Sequence, residues 1–325
     1  MEENTNHDHV NAAAAAAVLK EAKQNFLQIL NNHGNDTSDP NVAAAIDDLG
    51  QKWQILRKQQ RQGSEAPESH LITKMKGKWI QLSAPIFPNA IKDPDTPGKI
   101  KYTLGRLSFN MFQPKNLVCT LDGTTNLIDQ FDPPSCVAGD APEETKEAVA
   151  KNTSESDTSS EDETNEGTTA AGDHLTYTYN VLQHLIVHAE KKDLPATLLV
   201  EGKCNVDPKK NDRVSVVFTA GQLRRGEEVD RNLQMRKIWD ETFHEAYATA
   251  EKERGYISTF GMWLMKLAFK LTLPIDTDGS SDDYCARYEM KRAPKGYIDI
   301  LYIDENLRIT RGNRGSIVVV RRMEE

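Results

Sequence analysis

The stretch GYIDILYIDENLRITRGNRGSIVVV, residues 296–320, decides the expected fold. Two apolar runs flank the turn-forming trio Asp-Glu-Asn at 304–306, so the spacing predicts a β-hairpin. A second tight turn, with glycines at both ends of 312–315, leads into the apolar strand SIVVV. Arg308 and Arg311 occupy strand positions, which indicates a barrel rim, a paired site or a solvated edge hairpin.

These residues resemble the C-terminal signature of the plastid lipid-associated protein family, also called fibrillins. That signature has the form Y-L-D-E-D-L-R-I-x-R-G-x-x-G and is followed by an apolar strand. Ile303 replaces the usual leucine, Asn306 replaces the second aspartate, and Val318 stands where an aromatic residue is usual. The matched positions are Tyr302, Asp304, Glu305, Leu307, Arg308, Ile309, Arg311, Gly312 and Gly315.

Short segments with period-two alternation precede this region and are separated by Pro, Gly and Asp clusters. Short strands in regular succession, with few helices, predict a mainly β fold, either an antiparallel barrel or a sandwich. The predicted strands are 78–82, 99–105, 106–112, 116–121, 175–189, 196–206, 213–221, 266–273 and 284–292.

Two helices are predicted before the strands and one among them. The first covers 11–33, with Asn11 as N-cap and Gly34 closing it, and the second begins at Asp39 followed by proline. Both have an apolar stripe, so we expect them to pack against the following domain. A third helix is predicted from Val229 to Arg254.

The resemblance implies a lipocalin-like antiparallel β-barrel with an N-terminal helix pair and a helical insert. It also implies that Gly77 and Trp79, the G-x-W of the first strand, lie under an arginine from the final strands, either Arg308 or Arg311. Such a desolvated cation–π contact contributes about 2 kcal/mol. We therefore expect a helix pair and linker over 1–70 and a barrel domain over 71–325. Inserts at 138–172 and about 226–262 interrupt the barrel domain.

The acidic character of the chain comes from one segment. Residues 140–173 contain eleven acidic residues and two lysines, a net charge of −9, which equals that of the whole chain. The net charge of the rest therefore gives no indication of a nucleic-acid partner. The insert 138–172 is rich in Ser, Thr, Glu and Asp and has no aromatic residue, so we expect disorder there.

Several classes of protein and site are disfavoured by the sequence. No apolar run approaches the ~20 residues that a membrane-spanning helix needs. The four cysteines form no C-x-x-C pair, which suits a reducing compartment. His184 and His188 fall in a predicted strand, where four residues span about 13 Å, too far for one metal ion. No hydrolase, phosphate-binding or dinucleotide-binding motif is present, so we expect neither an enzyme nor a bound cofactor or metal.

The resemblance implies non-catalytic binding of an apolar plastid compound: a carotenoid, quinone, fatty acid or galactolipid. It also implies peripheral association with lipid bodies (plastoglobules) or thylakoid surfaces, and a plastid location. The N-terminus does not resemble a transit peptide, so a cytoplasmic location is the alternative. A second hypothesis is a coat protein of lipid particles with a filled barrel, contacting the surface through Trp263 and Lys266. Residues predicted to face a ligand cavity are Leu104, Phe109, Leu182, Val217, Phe269 and Ile300, an assignment that a one-residue slip inverts.

Overall fold

The computed structural model describes residues 3–61, 69–85, 87, 90–92, 100–108, 115–130, 177–252, 271–272, 287–293 and 295–324. Within these ranges the chain forms six helices and thirteen strands. The helices are α1 (Glu3–Asn32), α2 (Pro40–Arg61), α3 (Ser69–Met75), α4 (Leu104–Leu107), α5 (Glu227–Arg231) and α6 (Leu233–Lys252). The strands are β1 (Gly77–Gln81), β2 (Ile91–Lys92), β3 (Ile100–Thr103), β4 (Val118–Ile128), β5 (Tyr177–Thr178), β6 (Asn180–His188), β7 (Asp193–Asp207), β8 (Lys210–Arg225), β9 (Leu271–Thr272), β10 (Arg287–Met290), β11 (Lys295–Ile303), β12 (Leu307–Gly312) and β13 (Ile317–Arg322).

Eight of the strands close into an antiparallel barrel. β1 lies between β4 and β13, and the ring continues through β12, β11, β8, β7 and β6, which pairs with β4 again. Closure leaves none of these eight strands as an open edge. The predicted mainly β, lipocalin-like barrel with N-terminal helices is therefore confirmed.

Strands β4 and β8 each pair with two different strands along one edge. The C-terminal half of β4 pairs with β1, whereas its first residues, 118–120, pair with β3. Residues 213–217 of β8 pair with β11, and residues 220–222 pair with β10. The sheet thus divides beyond the closed ring into two arms, β3 with β2 and β10 with β9.

Alternation along the strands separates an inner face from an outer face. In β7, Leu194, Ala196, Leu198 and Val200 are buried, and the residues between them are partly exposed. Arg308 on β12 donates a hydrogen bond to Asn126 on β4, although β13 and β1 lie between those strands in the ring. Side chains diverge on a convex face and converge on a concave one. This contact therefore places Arg308 and Asn126 inside the barrel.

The buried apolar residues form two clusters. The first joins α1, α2 and α3 to β11, β12 and β13 and includes inward residues of β7 and β8. The second joins inward residues of β3, β4, β6, β7, β8 and β10 to α4, α5 and α6. Helical side chains thus contribute to both clusters.

The N-terminal helix pair packs on the outer face of β11–β13, as the apolar stripes predicted. The ring centroids of Trp53 and Tyr302 lie 6.1 Å apart. Helix α2 begins after Asp39, whose carboxylate accepts the backbone N–H of Asn41, as expected of a cap. The predicted start of the first helix at Asn11 is wrong, because α1 extends back to Glu3 and the following alanine run has high helix propensity. The domain division at residue 70 stays a prediction.

Two further assignments need correction. The predicted strand 106–112 is replaced at its start by α4, since the Thr103 hydroxyl accepts the backbone N–H of Arg106 and caps a helical turn. The predicted single helix 229–254 is divided into α5 and α6. It breaks at Asn232, whose side chain accepts backbone N–H groups at the start of α6 and so favours a cap over a helix interior.

Some predicted segments fall partly or wholly outside the described residues. The acidic insert 138–172 lies there entirely, and so do residues 109–112 of the strand just corrected. Of the predicted strand 266–273, Leu271 and Thr272 are described, and they form β9.

Candidate functional site

The six predicted cavity residues are not brought together. Leu104 and Ile300 are buried, but in different core clusters, and Leu104 lies on α4 rather than on a strand. The inward assignment is wrong for Leu182 and Val217, which point to the opposite face from their core-forming neighbours. The sequence pattern cannot show the direction of the pleat when both faces of a strand carry apolar residues. The other two candidates, Phe109 and Phe269, lie outside the described residues.

Trp79, Arg308 and Arg322 form a contact that we call the latch. Trp79 is fully buried, and its indole Nε1 donates to the Met75 carbonyl of α3 at 2.7 Å. The Cζ atoms of Arg308 and Arg322 lie 4.9 Å and 4.2 Å from the centroid of the Trp79 ring. The predicted contact of Trp79 with Arg308 is confirmed. Arg311 has another role, since it faces outward, 3.8 Å from Asp47 of α2.

Sequence reasoning missed the second cation of the latch. Arg322 is the register partner of Trp79 across β1 and β13, and its guanidinium donates to the carbonyls of Lys74, Lys76 and Glu305. Gly77 permits this approach, because a Cβ atom there would lie 2.5 Å from Nη1 of Arg322. The cross-strand register, which one sequence does not reveal, is the signal that identifies Arg322.

Asp304 organises the turn between β11 and β12. Its Oδ1 accepts the backbone N–H groups of Asn306 and Leu307 at 2.8 Å and 2.7 Å, which closes the predicted hairpin. Its Oδ2 accepts Lys23 Nζ of α1 at 2.5 Å and the Tyr302 hydroxyl at 2.6 Å. Burial raises the pKa of Asp304, but these four hydrogen bonds outweigh burial and hold the pKa below its ordinary value. The motif residues at 302–308 thus attach the helix pair to the barrel and contribute Arg308 to the latch.

One of the three comparisons with known proteins matches this same region. The PAP_fibrillin family model matches residues 280–321, the stretch that contains β10, β11, β12 and most of β13. Over this C-terminal stretch the chain is similar to the PAP/fibrillin family. Comparison with curated proteins and with solved structures gives no significant match. The family match supports a general plastid lipid-associated role and leaves the ligand unspecified.

The PAP/fibrillin motif places a charged group inside the barrel. The Arg308 residue is 2% exposed, and its Nη2 donates to Asn126 Oδ1 at 2.5 Å. Asn126 is itself held, since its Nδ2 donates to the Asn180 carbonyl at 2.9 Å. Nε and Nη1 of Arg308 are buried and have no hydrogen-bond partner among the described residues. Burial lowers the pKa of this guanidinium.

The two acidic side chains that interact electrostatically with Arg308 are neutral at ordinary pH. Burial raises the pKa of the Cys204 thiol to about 12, and it raises the pKa of the Tyr179 hydroxyl as well. Arg322, the other charge that acts on Arg308, is positive. The interior of the barrel therefore holds a cation without an anion from the described residues.

Further buried polar atoms lie nearer to α6. Trp239 and Phe243 of α6 stack with ring centroids 4.4 Å apart, and they pack in one cluster with Tyr288. Within the described part of the chain, the indole Nε1 of Trp239 and the amide Oε1 of Gln183 are buried without a hydrogen-bond partner. Buried polar atoms without a hydrogen-bond partner among the described residues are thus found in both core regions, at Arg308 and at Trp239 and Gln183.

The two histidines considered as metal ligands lie on β6. His188 Nδ1 donates to Asp193 Oδ1 at 2.7 Å, because a carboxylate only accepts, and its Nε2 lies 2.5 Å from the Thr120 hydroxyl, within hydrogen-bonding distance. This chain of side chains joins β4, β6 and β7. His184 is exposed on the same strand. In the described ranges no group of three or more His, Cys, Asp or Glu residues is arranged to hold a metal ion.

A helix that crosses a membrane must be both long and apolar. Among the described residues, no helix meets both conditions.

Proposed function

We propose that this PAP/fibrillin-type protein binds one apolar plastid compound inside its barrel, without catalysis. The candidate compounds are a carotenoid, a quinone, a fatty acid or a galactolipid. The observation that carries the proposal is a closed eight-stranded barrel whose buried interior contains polar atoms with no hydrogen-bond partner among the described residues. Barrels of about eight strands either hold one small ligand or are filled by side chains. Buried polar groups in native proteins normally have partners, so unpartnered atoms support the ligand-holding arrangement.

We further propose peripheral association with lipid bodies or thylakoid surfaces. The family match supports a role of this general kind. The proposed surface residues, Trp263 and Lys266, lie outside the described residues. Mixing the purified chain with liposomes of plastid galactolipids tests the association. We expect the chain to float with the liposomes, and a chain that stays in the dense fraction contradicts the proposal.

The alternative is a structural coat protein whose barrel is filled. One observation favours it: large inward side chains pack into a continuous buried cluster that includes Tyr102, Leu198, Trp239 and Tyr288. Such a protein would hold lipid particles through its surface and would contain no ligand.

Substitutions at Val216 and Val217 distinguish ligand binding inside the barrel from the coat function with a filled barrel. They are neighbours on β8, but Val216 belongs to the buried core, whereas Val217 is paired with Lys203 and Lys295 on the opposite face. Phenylalanine at 216 adds volume to the interior, and phenylalanine at 217 adds the same volume outside. The pair is therefore matched in chemistry and differs in the face it changes.

The experiment is organic extraction of the full chain, purified from a photosynthetic host, followed by mass spectrometry and thermal denaturation. Ligand binding predicts a stoichiometric lipid in the wild-type protein and in V217F, and loss of that lipid in V216F without a large change in Tm. A filled barrel predicts no lipid in any of the three proteins. V216F is then destabilised by about 1–3 kcal/mol through overpacking.

We propose a plastid location on the basis of the family match. Incubation of the full gene product with isolated chloroplasts tests it. Protein that becomes resistant to added protease supports plastid import. Protein that remains sensitive supports the cytoplasmic alternative.

A further inference from the structure

We propose that the ligand of the barrel carries a carboxylate, as a long-chain fatty acid does, and that Arg308 binds this carboxylate. The inference rests on the proposed function, since it assumes that the interior holds an apolar molecule. It selects one of the four candidate ligand classes by charge.

The first argument is the unused hydrogen-bonding capacity of Arg308. A guanidinium carries five N–H donors, and one hydrogen bond, from Nη2 to Asn126, is made among the described residues. Nε and Nη1 lie in the same buried environment without a partner. Leaving a buried charged donor unsatisfied is costly, so a native structure normally supplies an acceptor.

The second argument is charge. Buried arginines are nearly always paired with an acid. In the described part of the chain Arg308 has no ion-pair partner. The nearby Cys204 and Tyr179 keep their protons because burial raises the pKa of each. Trp79 offers the face of its ring, which attracts a cation but does not neutralise it.

The third argument is that Arg308 is held in a defined position. Asn180 orients Asn126, Asn126 accepts from Arg308, and Trp79 packs against the guanidinium. An anion-binding group that is fixed in advance loses little side-chain entropy when the ligand binds. Leu185, Leu198 and Leu223 make the inward faces of β6, β7 and β8 apolar, as the walls around an acyl chain must be.

Carotenoids, quinones and neutral galactolipids do not provide a negative charge. Any of them would leave the buried Arg308 charge without an anion among the described residues. A fatty acid provides the apolar chain that the barrel walls favour and the anion that Arg308 lacks.

The test compares palmitate with methyl palmitate, which has the same chain but no charge, by titration calorimetry on the delipidated full chain. We expect wild-type protein to bind palmitate about tenfold or more tightly than the ester. The variant R308M should lose this preference while it still binds the ester. R311M is the matched control, because Arg311 lies on the same strand but faces outward, and it should keep the preference.

A spectroscopic measurement separates direct contact from a structural role of Arg308. With palmitate labelled with ¹³C at the carboxyl carbon, the bound wild-type signal should remain that of the carboxylate as pH falls below the ordinary range for carboxyl groups. The wild-type result does not depend on whether R308M folds.

The outcomes are distinguishable. Equal binding of acid and ester to wild-type protein overturns the role of Arg308 and leaves the proposed function intact. A preference that survives in R308M also overturns it. If neither compound binds and no lipid is extracted, the proposed function itself fails.

Discussion

Replacing Asp304 by asparagine should weaken the attachment of the N-terminal helices to the barrel. If the asparagine Oδ1 keeps the two backbone N–H groups of the turn, its Nδ2 faces Lys23 Nζ, which only donates, and the Tyr302 hydroxyl, which can accept a neutral hydrogen bond from Nδ2. Two charge-assisted hydrogen bonds are therefore lost. Because the side chains of Lys23 and Asp304 are 21% and 31% exposed, solvent reduces the effect.

We expect D304N to cost about 2–3 kcal/mol, below the sum of two such hydrogen bonds at ~1.5–3 kcal/mol each. For a chain of this size that corresponds to a fall in Tm of about 3–4 °C. The assay is thermal denaturation followed by circular dichroism, with the variants K23M and Y302F completing double-mutant cycles. In the double variants the added cost of D304N should be smaller, since one of the two donors is already absent.

The pH dependence of the stability provides a second test of the contacts of Asp304. The pKa of Asp304 is lowered in the folded protein, so its contribution is fully present above the unfolded value of about 3.9 and is lost as pH falls through the folded value. The difference in the free energy of unfolding between wild-type protein and D304N should be constant from pH 5 to pH 8, because both pKa values of Asp304 lie below pH 5. It should shrink below about pH 4. A D304N protein as stable as wild type, or a difference that does not change in acid, would refute this account of the turn.

Three other substitutions or treatments have expected outcomes. G221A should lose about 1–3 kcal/mol in denaturant unfolding, because its Cβ would lie 2.5 Å from the buried ring of Tyr288. W79F should lose about 2 kcal/mol in the same assay, since it removes the indole hydrogen bond and weakens both cation–π contacts. Cys119 and Cys204 should resist alkylation in the folded protein, because both are buried and burial raises each thiol pKa to about 12.

Each of these has a control. G123A places alanine at a strand glycine with no atom within 4 Å of the new Cβ, and a loss equal to that of G221A would contradict the steric explanation. W79F that unfolds at the wild-type denaturant concentration would show that the latch contributes nothing. Peptide mass spectrometry after alkylation with and without urea identifies the cysteines, and labelling of Cys119 or Cys204 without urea contradicts their burial.

The features predicted correctly from the sequence depend on residues close together in the chain. The turn at 304–306 closes because Asp304 caps the backbone two and three residues on, and α2 begins where Asp39 caps it. The N-terminal helices were predicted because apolar residues recur at helical spacing. In each case the stabilising contact is local, so the sequence pattern contains it.

Most of the incorrect predictions concern features that depend on contacts between segments far apart in the sequence. The inward assignment of Leu182 and Val217 failed because both faces of those strands carry apolar residues, and the neighbouring strands determine which face is covered. The split between α5 and α6 had a local signal in Asn232, but the apolar stripe suggested one continuous helix. Arg322 was missed because its role depends on its register with Trp79.

The sequence by itself determined the class of fold, the hairpin of the PAP/fibrillin motif and the helix pair, since periodicity, caps and turn residues act over a few positions. The tertiary structure alone decided which strands close the barrel, which side chains face inward and which arginines meet Trp79. It also showed that Arg308 is buried without a negative partner among the described residues. The reason is that barrel closure sets hydrogen-bond register between segments far apart in the chain, and a shift of one residue exchanges the two faces of a strand.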